Sequence, residues 1–121
     1  MQTMNQVWMM GNVSIEPEKK EGDGYKLVNF SIATNRDYAK EEKTDFHRVV
    51  AWNSLADLSS KFVKKGDRVA IIGSLINSTF VNKEGKKVER SEIRAQQISF
   101  LGKRKKDSKG NEVEVIAETV G

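Results

Sequence analysis

Apolar and polar residues alternate over most of the chain, and each alternating run ends in charged residues, Gly or Pro. Residues 5–13 read Asn-Gln-Val-Trp-Met-Met-Gly-Asn-Val. As a strand they place Val7, Met9 and Gly11 on one face and Trp8 and Met10 on the other. Gly11 inside this run predicts a bend or bulge where a second backbone comes close, as a small curved barrel requires. Trp8 reads as a buried or interface residue in preference to a stacking one. Glu16-Pro17 is expected to end the strand, and Glu21-Gly22-Asp23-Gly24 to carry the turn. Residues 25–34 form a second strand, whose Val28, Phe30 and Ile32 point to the core. Residues 35–43 are polar and form a protruding loop or hairpin arm, with Arg36, Tyr38 and Lys40 at period two.

The third run, residues 44–53, is Thr-Asp-Phe-His-Arg-Val-Val-Ala-Trp-Asn. It has no Gly or Pro and is rich in β-branched and aromatic types, so it reads as a strand. Phe46, Arg48, Val50 and Trp52 share one face; Asp45, His47, Val49 and Ala51 share the other. Two aromatics around an arginine suit a surface that stacks bases and neutralises phosphates. A core strand with a twist or bulge that exchanges its faces is the other reading.

Helical spacing appears in one stretch, residues 54–65. Leu55, Leu58 and Phe62 mark its buried face, Asn53 its N-cap and Gly66 its C′ residue. Lys61, Lys64 and Lys65 suit the negative end of the helix dipole and are explained without a ligand. Residues 67–81 then form a long strand or bent pair, apolar on both faces at first and bent at Gly73. Lys83-Glu84-Gly85-Lys86-Lys87 is a turn, and residues 88–101 return as the last strand. Strict alternation sets Ile93, Ala95, Gln97 and Ser99 opposite Glu92, Arg94, Gln96, Ile98 and Phe100. Phe80 lies near a hairpin tip rich in Lys83, Lys86, Lys87 and Arg90. Residues 103–106 are a basic run, and residues 112–120 suit an added edge strand.

Composition narrows the function classes. The chain has 121 residues and no cysteine, so disulfides, Cys-ligated zinc and thiol catalysis are excluded. No apolar run approaches the ~20 residues that cross a bilayer. The N-terminal stretch lacks a charged n-region and cleavage site, so a cytoplasmic protein with no membrane partner is expected. The net charge of +4 leans only weakly towards an anionic partner, because 17 acidic residues oppose 21 basic ones. A basic surface must therefore come from placement. No carboxylate cluster, nucleotide-binding loop or His/Cys set can be assembled. The chain is accordingly not read as an enzyme, and neither metal nor cofactor is expected.

Five strands with one helix between the third and fourth follow the plan of an OB-fold, a mainly all-β, five-stranded Greek-key barrel, here with extended hairpin arms. The expected division is an OB-fold domain over residues 1–102 and a short basic extension over 103–121. The chain resembles bacterial-type single-stranded DNA-binding proteins. The matching stretches are residues 5–13 with Pro17-Glu18, Val28-Asn-Phe-Ser-Ile-Ala-Thr-Asn, residues 44–56, Phe62 through Lys64-Lys-Gly-Asp-Arg-Val, and Ile72-Gly-Ser-Leu leading to Phe80-Val-Asn-Lys-Glu-Gly. Phe-His-Arg-Val-Val is the most specific of them.

The resemblance implies base stacking on Tyr38, Phe46, Trp52 and Phe80, with Tyr38, Phe46 and Phe80 standing where the family commonly has Trp. Phosphates would then fall to Arg36, Lys40, Arg48, Lys83, Lys86 and Lys87. The family resemblance makes Val7, Met9 and His47 interface residues of a homotetramer, a dimer of dimers built through the first strand. The ligand it implies is single-stranded DNA, with RNA as an alternative, in a bacterial nucleoid-associated protein or a mobile-element product in a bacterial host. The family's acidic, Phe-terminated tail has no counterpart in Ala117-Glu-Thr-Val-Gly121, so partner recruitment through a tail is not expected. A replication-restart or assembly module on the same fold, acting mainly through protein contacts, is the alternative.

Overall fold

A computed structural model describes residues 2–37, 43–106, 112–115 and 119–120 of the chain. The elements are β1 (Val7–Gly22), β2 (Tyr25–Asn35), β3 (Thr44–Trp52), α1 (Asn53–Phe62), β4 (Asp67–Val81) and β5 (Lys87–Lys106), followed by the short β6 (Glu112–Val115) and β7 (Thr119–Val120). β1 pairs antiparallel with both β2 and β4, β2 with β3, and β4 with β5. A parallel pairing of β3 with β5, at Val49↔Ile93 and Val50↔Arg94, closes the five strands into a barrel. This is the expected OB-fold, with α1 in the expected slot. β6 pairs with β5 at Lys103–Lys106, and β7 pairs with it at Ile98 and Ser99.

The core fills from alternate residues of each strand. Val28, Phe30 and Ile32 of β2 meet Val49 and Ala51 of β3, Val69 and Ile71 of β4, and Ile93, Ile98 and Phe100 of β5. Leu55, Ala56 and Val63 close the barrel from the helix side. Strong curvature brings backbones together where a side chain would not fit. A Cβ on Gly11 would lie 2.4 Å from the Ala33 carbonyl oxygen, and one on Gly73 would lie 2.2 Å from that of Arg94. Both glycines therefore sit where the expected close approaches occur.

Local expectations fail at four places, each for a definable reason. β1 does not stop at Glu16-Pro17. Register shifts against β2 between Val13 and Ile15 and between Ile15 and Glu18 carry it through to Gly22. A bulge tolerates Pro17, which has no N–H to offer the ladder.

The helix is shorter than expected, ending at Phe62. Asn53 is not an N-cap but its first residue, at φ 56°, and Trp52 precedes it without a side-chain cap. The buried face comprises Leu55, Ala56 and Ser59, with Val63 just beyond. Leu58 is half-buried, while Phe62 is exposed and packs edge-on against Phe100 at 6.0 Å.

Gly66 is not C′ of the helix. It belongs to a separate turn closed by Asp67 N–H donating to the Lys64 carbonyl at 3.0 Å. Its φ of 93° suits the third position of such a turn. The buried Asp67 carboxylate accepts the Lys64 N–H at 2.9 Å.

In β5 the alternation breaks. Gly73 pairs with Ala95 but Ile72 with Gln97, so Gln96 is an extra residue. This bulge puts Ile98 and Phe100 on the same inward face as Ile93 and Ala95.

Candidate nucleic-acid interface

The outward face of β3 begins with Phe46, which is 67% exposed. Arg48 follows half-buried, Val50 is buried, and Trp52 is half-buried at the strand's end. The two faces of β3 do not exchange, since Val49 and Ala51 are the fully buried pair. Because β3 runs parallel to β5 with Val50 opposite Arg94, the outward residues of β5 line up beside those of β3. Glu92 reaches Arg48, its Oε2 3.4 Å from Nε. That Nε is buried and finds no hydrogen-bond partner, so the pair is close but poorly aligned. The Arg94 guanidinium lies over the Trp52 ring at 5.4 Å, and Tyr25 lies on the same ring's flank with centroids 6.2 Å apart. Towards the β4–β5 hairpin tip, the Arg90 guanidinium sits 4.8 Å from the Phe80 ring.

Trp52 and Phe80 are thus each paired with an arginine. Ring quadrupoles attract guanidinium ions, and the pairing stiffens both partners. Beside Phe46 a groove of about 460 Å³ is lined by Arg48, Arg90 and Lys20 together with Ile15 and Asn29, and by the carboxylates Glu16 and Glu18. Exposed rings and cations on one surface can stack flat, hydrophobic groups while neutralising anions along the same track.

The lysines at the hairpin tip are presented by a tight turn. Asn82 Oδ1 accepts the N–H groups of Glu84 and Lys86, both at 3.0 Å, and Asn82 N–H donates to the Lys86 carbonyl. Lys83, Lys86 and Lys87 are all exposed there. Arg36 is differently placed. Its Nε and Nη2 both donate to the Asp45 carboxylate at 2.8 Å, a bidentate pair that largely cancels its charge. The hydrogen bond from Arg36 holds the Asp45 carboxyl below its ordinary range and raises Arg36 in turn. Tyr38 and Lys40 lie outside the described residues.

The residues assigned to an oligomer interface fall into two settings. Val7 and Met9 are half-buried against the core, whereas Trp8 and Met10 of the same strand point outward, 70% and 52% exposed. Trp8 stands beside Ile72 of β4 and Met10 beside Ala70. His47 Nε2 and the Thr34 hydroxyl are hydrogen-bonded at 2.8 Å.

Sequence reasoning left Tyr25, Lys20, Arg90 and Arg94 out of the site. Arg90, Glu92 and Arg94 alternate on β5 as Phe46, Arg48 and Val50 do on β3, and that shared period was a usable signal. Tyr25 and Lys20 offered none, because their positions depend on where β1 ends.

Residues 4–101 match the Single-strand binding protein family. Among curated relatives, a "Single-stranded DNA-binding protein 1" of Xylella fastidiosa is 34% identical over 90% of this chain and 85% of its own length. A protein of the same name from Chlorobaculum tepidum is 37% identical over 88% and 69%. Among solved structures, "Plasmodium falciparum SSB complex with ssDNA" superposes with a TM-score of 0.76 at 30% identity, covering 84% of this chain and 97% of that one. With its barrel, the helix inserted between β3 and β4 and a family match over nearly the whole barrel, this chain belongs to the single-strand binding protein family.

Proposed function

We propose that the chain binds single-stranded DNA without strong sequence preference and so protects it during replication, recombination and repair. The observation that carries this reading is the outward surface of β3, β4 and β5, where Arg94 lies over Trp52, Arg90 lies beside Phe80, and Phe46 and Arg48 line one groove with Arg90. Family membership and a structural neighbour solved with single-stranded DNA support it. Bases stack on Phe46, Trp52 and Phe80, each stacked base contributing about 1–3 kcal/mol. Tyr38 and Lys40, outside the described residues, are assigned a stacking and a phosphate role by the family resemblance alone. Arg48, Lys83, Lys86 and Lys87 neutralise phosphates and release counterions, so affinity falls with salt. Arg36 contributes least, because Asp45 already occupies its guanidinium. None of these roles is catalytic.

The working form is a homotetramer assembled from dimers through β1. Val7, Met9 and His47 are assigned to that contact, and Trp8 and Met10 add exposed apolar surface on the same strand as Val7 and Met9.

The experiment is an intrinsic tryptophan fluorescence titration with oligo-dT at two salt concentrations, with a duplex control. A Trp8→Phe variant isolates Trp52 as the reporter. Quenching by the single strand that weakens with salt and is absent with duplex is the expected result. No response from Trp52 at either salt contradicts the reading.

A further inference from the structure

We propose that Tyr25 forms a further base-stacking subsite that extends the track past Trp52 onto the β1–β2 turn; this rests on the binding function proposed above. Tyr25 opens β2 and pairs directly with Gly22 of β1. The missing side chain at residue 22 makes room for the ring. A Cβ there would lie 2.3 Å from Tyr25 Cε1 and 2.7 Å from its hydroxyl oxygen. The ring is therefore seated on backbone, which limits its motion and lowers the entropy lost on binding. It remains 45% exposed and stands 6.2 Å from the Trp52 ring, tilted by 57°. Trp52 is flanked by Arg94 on β5 and by Tyr25 at the barrel's end, so a strand leaving Trp52 on that side meets Tyr25 next.

The space beyond suits a base better than a phosphate. A cleft of about 370 Å³ opens beside Tyr25, bordered by Lys26, Asn53, Ser54, Glu21 and Asp57. Its charges are already matched. Lys19 pairs with Glu21 at 2.9 Å and with Asp57 at 3.2 Å, while Lys26 reaches Asp57 at 3.4 Å. Two lysines against two carboxylates leave little net field to hold a phosphate, whereas the aromatic ring offers every base a stacking surface. The contribution of Tyr25 is thus insensitive to salt, unlike that of the hairpin lysines.

A residue that merely covers Gly22 is replaceable by Leu, whereas a stacking residue is replaceable only by another ring. The test compares wild type, Tyr25→Phe, Tyr25→Leu and Trp52→Ala on an oligo-dT length series at two salt concentrations. Ultraviolet cross-linking of a 5-iodouracil oligomer, mapped by mass spectrometry, accompanies it. Tyr25→Leu is expected to lose about tenfold in affinity for long oligomers, by the same factor at both salts. Its affinity should also level off at a shorter length than that of wild type, and Tyr25→Phe should stay within about twofold of wild type and cross-link as wild type does at Trp52. A cross-link at Tyr25 in wild type is the matching direct result. If Tyr25→Leu equals wild type at every length while Trp52→Ala is weakened, the subsite is wrong and the central track stands. A loss that is the same at all lengths also overturns it, since Tyr25 would then act only by positioning Trp52. A wild-type protein that ignores oligo-dT removes both the binding function and this subsite.

Discussion

Replacing Trp52 with Ala separates the barrel from its binding surface, because Trp52 lies at the end of β3 and outside the core cluster. Two contacts within the protein are lost. The tilted pair with Tyr25 is of the kind worth about 0.5–1.5 kcal/mol, and the Arg94 contact of the kind worth about 0.5–1 kcal/mol at an exposed site. Stability should therefore fall by about 1–2.5 kcal/mol, a drop in melting temperature on the order of 4 °C per kcal/mol for a domain of this size. Binding loses one stacked base, about 1–3 kcal/mol, which is roughly a 5- to 150-fold rise in Kd. The phosphate contacts remain, so a plot of log affinity against log salt should shift down in parallel without changing slope. Competition anisotropy with a labelled oligo-dT at four salt concentrations, alongside a thermal melt, measures all three quantities. Unchanged affinity in a folded Trp52→Ala variant refutes the reasoning. So does a changed slope, which would mean that the loss of the ring had rearranged the cations.

Four further outcomes follow from the same structure. Lys86→Ala with Lys87→Ala should reduce the magnitude of the salt slope by about 1.4, at roughly 0.7 per single-strand phosphate contact, as read from the same salt series; an unaltered slope removes both lysines from the contact surface. Glu92→Gln should raise affinity for oligo-dT several-fold by freeing Arg48 from its poorly aligned partner, and equal or weaker binding would show that Glu92 is needed to aim Arg48. Gly73→Ala should destabilise the barrel by about 1–3 kcal/mol in a chemical melt, because its Cβ meets the Arg94 carbonyl backbone at 2.2 Å; a neutral effect would mean that the bulge relaxes freely. In acid, hydrogen bonds from Lys19 hold Asp57 and Glu21 below the ordinary carboxylate range, as Arg36 holds Asp45. The folded state then binds fewer protons than the unfolded chain, so this stabilisation is present above pH ~4 and is lost as pH falls through the lowered folded values. Asp57→Asn should lower the melting temperature at pH 7 and converge with wild type near pH 2, whereas an equal offset at both would contradict the linkage.

The alternation of Val28, Phe30 and Ile32, the Phe-His-Arg-Val-Val run and the single helical stretch determined where strands and helix fall along the chain and the chemistry of its third strand, and that order of elements pointed to the OB-fold plan. Those features are local, since period-two burial and the absence of breakers act over a few residues. Gly11 and Gly73 were legible for a related reason: a glycine within an apolar strand has few uses besides close approach. Tertiary structure decided the rest. The bulge at Gln96 turns Ile98 and Phe100 inward, and it forms because β5 must bend around β4, a demand that no residue of β5 announces. Packing against the barrel chose Ala56, Ser59 and Val63 over Phe62 as the helix's buried side. The same holds for the site. That Phe46, Trp52 and Phe80 are aromatic is written in the chain, but that Arg94 lies over Trp52 depends on the parallel register of β3 against β5, and that Arg90 lies over Phe80 and Asp45 against Arg36 depends on the register of their hairpins. A one-residue change of register moves every side chain to the other face, so these partnerships exist only once the strands have paired in register, and that of Arg94 with Trp52 only once β3 has met β5.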